Sequence, residues 1–258
     1  ADTVEPDILT YLKGYTAKTL VPHEDHAASF VPLFNIRGTA TGVEHTWKRR
    51  EYAYEAQLSL LDGPAAFVAA YQGGDNSPVS NLRHRAFADV LSNAPIRDVE
   101  AVQDAVVATM EENSGLDALL TTTVGITARP AAIEQLLVRG TGPGISLALQ
   151  QAGGQLPTRD LHELLLFAVE QAPTVNASLA VAAWAVKLRG DPMTRNLLVG
   201  MLSSHSLGAS AALALGKWTD IQTVRTLQDI AAGNDATARR AQMALDIHVE
   251  RQMAGGQP

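Results

Sequence analysis

The sequence predicts an all-α protein, a solenoid of stacked antiparallel helix pairs, chiefly because its C-terminal half repeats itself. Three pairs of landmarks share nearly the same step along the chain: Asp191 with Asp220, Leu198 with Leu227, and Ala214 with Ala244. This period of about 30 residues is typical of stacked helical pairs. Composition agrees, because 46% of the residues are hydrophobic but only 5% are aromatic. An alanine-rich apolar fraction suits close helix packing better than a β-sandwich.

Charge and residue usage exclude several classes of function. The 258 residues carry 20 Lys and Arg against 27 Asp and Glu, a net charge of −7, which disfavours binding to a phosphate backbone. The chain has no cysteine, so disulfides, thiolate metal sites and cysteine nucleophiles are excluded. No run approaches the roughly 18 apolar residues of a membrane span. The start Ala1-Asp2-Thr3 fits a processed exported protein, so we expect a periplasmic or secreted location, and otherwise a cytoplasmic one.

The first 43 residues are predicted to be a separate N-terminal segment that packs on the stack. A short amphipathic helix is expected from residue 7 to about 20, where Val21-Pro22 interrupts it, and residues 21–42 look irregular. Turn residues then divide the next part into short helices, as at Gly63-Pro64, where glycine suits a helix end and proline a helix start. These helices are expected at 44–61, 64–72, 80–91, 96–112, 116–126 and 130–138.

The helical pattern becomes more regular after two glycine-rich segments. Gly140 to Gly144 and Gly153-Gly154 are predicted to be flexible joints on either side of a short helix, 145–151. From Thr158 onward, apolar residues recur at helical spacing. Asp191-Pro192 is a strong helix start, an N-cap oxygen followed by a ring that needs no hydrogen-bond partner. Asp235 is expected to cap the last helix, 236–252. The stack therefore spans 44–252, and residues 253–258 form a tail.

The segment Ala212-Leu213-Ala214-Leu215-Gly216-Lys217-Trp218-Thr219-Asp220 resembles the short bacterial HEAT-like repeats of the phycobilisome-lyase type. In these repeats an Ala-Leu-Gly turn ends one unit and an Asp opens the next helix. The resemblance extends through 158–248 and loosely to 64–157, where residues 82–86 resemble the basic inner helix of such repeats. The helix at 209–215 departs from the pattern because it lacks arginine. The resemblance implies a right-handed α–α superhelix, and it implies a shape rather than an activity.

Trp47, Arg50 and Tyr54 are the main candidate binding residues. They lie at i, i+3 and i+7 and so share one side of a helix, whereas Arg49 lies off it. Aromatic rings and a guanidinium can hold an anionic or aromatic partner. The alternative is that the rings face the core and that Glu44 with Lys48 forms an ordinary i, i+4 pair. Two further cations, Arg83 and Arg85, are expected to line the same concave side or simply to be solvated.

His23 and His26 flank two carboxylates, Glu24 and Asp25, and such side chains can bind a zinc-like ion. The spacing is not that of a helical zinc motif, so a polar turn is the alternative interpretation. The glycines around Gly142 lack the following Lys-Ser or Lys-Thr of a phosphate loop.

No catalytic signature stands out and no cofactor is expected, so the sequence favours a non-enzymatic scaffold for a protein partner. The alternative is an enzyme, because HEAT-like proteins include chromophore lyases and DNA glycosylases.

Overall fold

The computed structural model describes residues 6–16, 20–22, 29–32, 34–71, 78–110, 114–141 and 144–255. About 80% of the described residues are helical, which confirms the all-α class. The described residues form fourteen α-helices: α1 Pro6–Lys13, α2 Ile36–Asp62, α3 Pro64–Tyr71, α4 Pro78–Ser92, α5 Ile96–Thr109, α6 Asp117–Thr127, α7 Pro130–Arg139, α8 Gly144–Gln155, α9 Thr158–Gln171, α10 Thr174–Trp184, α11 Pro192–Met201, α12 Gly208–Leu215, α13 Ile221–Ala231 and α14 Ala236–Gly255. Among these residues, no helix is both long enough and apolar enough to cross a membrane.

The helices pack in two rows. Every even-numbered helix from α2 to α12 contacts the next even-numbered helix, and every odd-numbered helix from α3 to α9 contacts the next odd-numbered one. Consecutive helices also pair across the rows, as α9 does with α10, α11 with α12 and α13 with α14. The buried apolar residues of α2 through α14 form one continuous core between the rows. Each helix therefore packs mainly on its neighbours within its row and across to the other row.

The helix starts in the C-terminal half follow the predicted cap chemistry. The Asp191 carboxylate accepts from the backbone N–H of Thr194 at 2.7 Å and from its hydroxyl at 2.6 Å. Asp220 does the same for Thr223 at 2.9 and 2.8 Å. Leu198 and Leu227, which follow these capping aspartates at the same spacing, are both buried. Residues separated by the predicted step, such as Leu198 and Leu227, therefore have the same local structure.

These caps also connect neighbouring helices of the odd row. His162 Nδ1 on α9 lies 2.9 Å from the hydroxyl oxygen of Thr194. Arg195 on α11 donates from Nε to the hydroxyl of Thr223 at 3.0 Å and lies 3.3 Å from the Asp220 carboxylate. Because each threonine is fully buried, its hydroxyl needs these partners. The caps stabilise both the helix starts and the stacking of the row.

Ring N–H groups connect the even row. Trp184 at the end of α10 donates from Nε1 to the Leu149 carbonyl of α8 at 2.8 Å. Trp218, just beyond α12, donates to the Ala185 carbonyl at 2.9 Å. Both indoles are fully buried, so Trp184 packs between α8 and α10. The two rings occupy corresponding places, one helix pair apart.

The predicted joint at Gly153-Gly154 is wrong, because both glycines lie inside α8. A Cβ on Gly153 would lie 2.8 Å from Cδ1 of Trp184. Glycine at this position therefore permits the indole of α10 to reach the backbone of α8. Of the other predicted joint, residues 142 and 143 lie outside the described residues.

The N-terminal region differs most from the prediction. Residues 20–22 and 30–32 form two short antiparallel strands, β1 and β2, in which Val21 pairs with Val31. Helix α2 begins at Ile36, about two turns earlier than predicted, because the Asn35 side chain accepts from the Gly38 N–H at 3.0 Å and caps it. At the other end of the chain, α14 continues to Gly255 and includes half of the predicted tail.

Candidate functional site

One side of α2 presents a row of side chains, most of them exposed, which we call the α2 face: Trp47, Arg50, Tyr54, Leu58 and Leu61. At 3.6 residues per turn the five positions lie within about 80° of one another around the helix. Tyr54 is 64% exposed, Leu58 45% and Leu61 84%, and Arg50 is also exposed, whereas Trp47 is half-buried. The face therefore combines a cation with an apolar row that no described helix covers.

The opposite side of α2 packs on α3 and α4. Ala56 and Ser59 are buried there, and Arg49 forms an ion pair with Asp89 of α4. The expected i, i+4 pair is also present, since Lys48 Nζ lies 3.4 Å from the Glu44 carboxylate. Of these neighbouring cations only Arg50 has no ion pair or hydrogen bond within the described residues. Its charge is available to a partner.

Helix α1 covers only the beginning of α2. Lys13 at the end of α1 pairs with Glu44, and this hydrogen bond is the main reason that the pKa of the Glu44 carboxyl lies below its ordinary value. An apolar cleft of about 570 Å³ separates the two helices and is lined by Leu9, Leu12, Phe34, Asn35, Ile36, Thr39, Ala40 and Val43. This contact ends before Trp47, so the α2 face begins where the cover from α1 stops.

Arg83 does not lie on an open surface. Its guanidinium stands 4.9 Å from the centroid of the Tyr52 ring and 5.4 Å from that of Phe87. Its Nε donates to the Ala70 carbonyl at 3.1 Å, and Nη2 pairs with Glu55. Only 15% of the side chain is exposed. Arg83 therefore holds α2, α3 and α4 together, and its charge is already matched.

Arg85 is exposed on α4, and no described hydrogen bond or ion pair joins it to α2. The neighbouring His84 Nδ1 lies 2.9 Å from the hydroxyl oxygen of Tyr71. Burial, and then the charge of Arg85, lower the pKa of His84, while burial raises the pKa of Tyr71 to about 12. A neutral His84 and a protonated Tyr71 therefore share this hydrogen bond. The structure thus brings together Trp47, Arg50 and Tyr54, but separates Arg83 from them.

His23 and His26 lie outside the described residues. Within the described part of the chain, no three histidine or acidic side chains are grouped as metal ligands would be. Sequence reasoning missed Leu58 and Leu61. They continue the spacing of Tyr54 at i+4 and i+7, and extending the helical pattern by two turns would have found them.

Comparison with known proteins finds no matching family, no matching curated protein and no matching solved structure. The resemblance to HEAT-like repeats therefore stays a prediction.

Proposed function

We propose that this protein is a non-enzymatic scaffold that binds a protein partner through the α2 face. The observation that carries the proposal is the exposed row of Tyr54, Leu58 and Leu61 beside Arg50, which forms no ion pair within the described residues. Apolar side chains in a contiguous exposed row mark interaction sites more often than isolated ones do. Trp, Tyr and Arg are also the residues that contribute most to protein interfaces.

The two-row packing supports a HEAT-like solenoid, a right-handed superhelix of antiparallel pairs. In such a stack each helix is covered by the next one, and the end helix needs a polar outer face. Helix α2 opens the even row, yet its outer face carries the apolar row of Tyr54, Leu58 and Leu61 over about two turns near its end. A partner that covers this face would replace the missing neighbour.

The chemistry of the face favours an amphipathic helix as the docking segment. Anchors spaced at i, i+4 and i+7 match the way in which helices bind along a groove or a second helix. Arg50 lies at one end of the apolar row, so an acidic side chain of the partner would meet it there. We therefore infer a helical partner segment with leucine-like anchors and at least one carboxylate near its end.

Site-specific photo-crosslinking in cells of the source organism tests the proposal. A benzoylphenylalanine at position 58 should capture a defined protein, and the same probe at position 175 should not, although Val175 is 70% exposed on α10. The captured protein is then purified and its affinity measured.

The double variant Arg50→Ala/Tyr54→Ala should weaken that affinity at least tenfold. It should leave the melting temperature nearly unchanged, because exposed substitutions usually move stability by about 0.5 kcal/mol or less. Val175→Ala is the matched control. Equal capture at both positions, or unchanged affinity in the double variant, would show that the α2 face is not the binding site. A large loss of stability would instead place these side chains in the core.

A further inference from the structure

A basic cleft lies at the other end of the stack, where the chain leaving α10 and α12 meets the last turns of α14. Its volume is about 350 Å³, and Arg189, Lys217 and Arg251 all contribute to its wall. No aspartate or glutamate lines it. Three cationic residues thus line one cleft on a chain whose net charge is −7.

None of these three side chains forms an ion pair within the described residues. Other arginines of the protein, by contrast, have acidic partners: Arg49 with Asp89, Arg83 with Glu55, Arg129 with Asp104, and Arg195 with Asp220. Within the described residues, the only hydrogen bond given to these three side chains is a long one, from Arg251 Nη1 to the Lys217 carbonyl at 3.5 Å. Most of their donors are therefore free to bind a ligand.

The wall of the cleft is braced by a buried histidine. His248 Nδ1 lies 3.1 Å from the Trp218 carbonyl oxygen, and its Nε2 lies 2.9 Å from Nε2 of Gln252. Because a carbonyl only accepts, Nδ1 carries the proton and Nε2 accepts from the amide of Gln252. The neutral ring joins α14 to the end of α12 and holds the backbone that carries Lys217. Lys217 and Arg251 are thus held on packed elements.

Cations at the ends of helices also have a simpler role, since they offset the carbonyl dipoles there. Each helix C-terminus is equivalent to about half a negative charge. The ends of α10, α12 and α14 therefore offset at most about half of the three positive charges. A net positive charge remains, which suits an anionic ligand.

We propose that this cleft binds the phosphate group of a small phosphomonoester. A carboxylate needs a single guanidinium, whereas a phosphate dianion has three terminal oxygens for two planar guanidinium groups and an ammonium. Thr219 and Gln252 supply further polar groups in the wall. The volume is at the lower end of the range for small-molecule sites and exceeds what a bare ion fills. The site lies far along the chain from the α2 face and does not depend on the function proposed for it.

Calorimetric titration of the full chain with inorganic phosphate, phosphoserine and acetate, at matched ionic strength, tests this inference. Phosphoserine and inorganic phosphate should bind at least tenfold more tightly than acetate. Tighter binding of phosphoserine than of inorganic phosphate would assign the site to a phosphomonoester, and the reverse order to free phosphate. Equal weak effects of all three anions would overturn the proposal, because they would show charge screening alone.

Substitution separates a binding role from a structural one. Lys217→Gln/Arg251→Gln should weaken phosphoserine binding by about a hundredfold, since a charge-assisted hydrogen bond contributes about tenfold or more. Arg97→Gln/Arg159→Gln removes two exposed charges on α5 and α9 and should leave binding unchanged. If the first variant does not fold, Arg189→Gln, beyond the end of α10, should still cost about tenfold in affinity. Unchanged affinity in a folded variant of the cleft would refute the site.

Discussion

Replacing Trp184 by alanine removes the largest side chain between α8 and α10, and its cost follows from three features of the structure. The indole is fully buried, and truncating a buried Phe or Trp to alanine costs about 3 to 5 kcal/mol. Its Nε1–H bond to the Leu149 carbonyl is worth about 1 kcal/mol. The facing residue is Gly153, which has no side chain that can move into the space. We therefore expect a loss of about 4 kcal/mol.

Chemical denaturation followed by far-ultraviolet circular dichroism measures this loss without relying on the fluorescence of the ring that is removed. Trp184→Phe is the informative control, because it keeps an aromatic ring but loses the N–H donor and should cost about 1 to 3 kcal/mol. Met193→Ala, at a side chain that is 65% exposed on α11, should change stability by about 0.5 kcal/mol or less. If Trp184→Ala costs less than about 1 kcal/mol, the ring does not lie in the core and the described packing of α8 on α10 is incorrect.

Two further predictions concern the helix contacts. Gly153→Ala should destabilise by about 1 to 3 kcal/mol in the same assay, because its Cβ would meet the packed Trp184 ring at 2.8 Å. The control Gly154→Ala meets only the flexible end of Lys187 at 3.4 Å, so it should be neutral or should stabilise through helix propensity. Equal effects of the two substitutions on stability would contradict the described contact between Gly153 and Trp184. The second concerns acid. Burial acts to raise the pKa of Asp191 and Asp220, but the hydrogen bonds from Thr194 and Thr223 outweigh it and leave both values below the ordinary one. A lowered folded pKa stabilises above the unfolded value of about 4, and this contribution is lost as pH falls through the folded pKa. Asp191→Asn/Asp220→Asn should therefore flatten the fall in melting temperature below about pH 4, and an unchanged acid profile would refute the assignment.

Local chemistry explains why the C-terminal half could be predicted in detail. The helix starts at Asp191-Pro192 and Asp220 depend on contacts that span only three residues, because each carboxylate is close in sequence to the N–H groups that it caps. The apolar spacing that follows Thr158 places Leu198 and Leu227 in the core for the same reason. Such interactions can be recognised in the sequence without knowing which helices pack together.

The candidate site could be predicted only in part. The spacing of Trp47, Arg50 and Tyr54 placed them on one side of α2, but spacing does not tell which side of a helix faces a neighbour. The position of α3 and α4 leaves Arg50 and Tyr54 exposed. The packing of Arg83 on the rings of Tyr52 and Phe87 depends on three helices meeting, which no local pattern shows.

By itself, the sequence determined the helical class, the capped helix starts and the common step between them, because the caps and the apolar spacing depend on interactions within one or two helical turns. Only the tertiary structure decided the roles that depend on distant neighbours. The sequence predicts a flexible joint at Gly153, yet this residue lies inside α8, where the Trp184 ring of α10 occupies the space that a side chain would need. Arg189, Lys217 and Arg251 are scattered along the chain and form one cleft only because α10, α12 and α14 stack in a row.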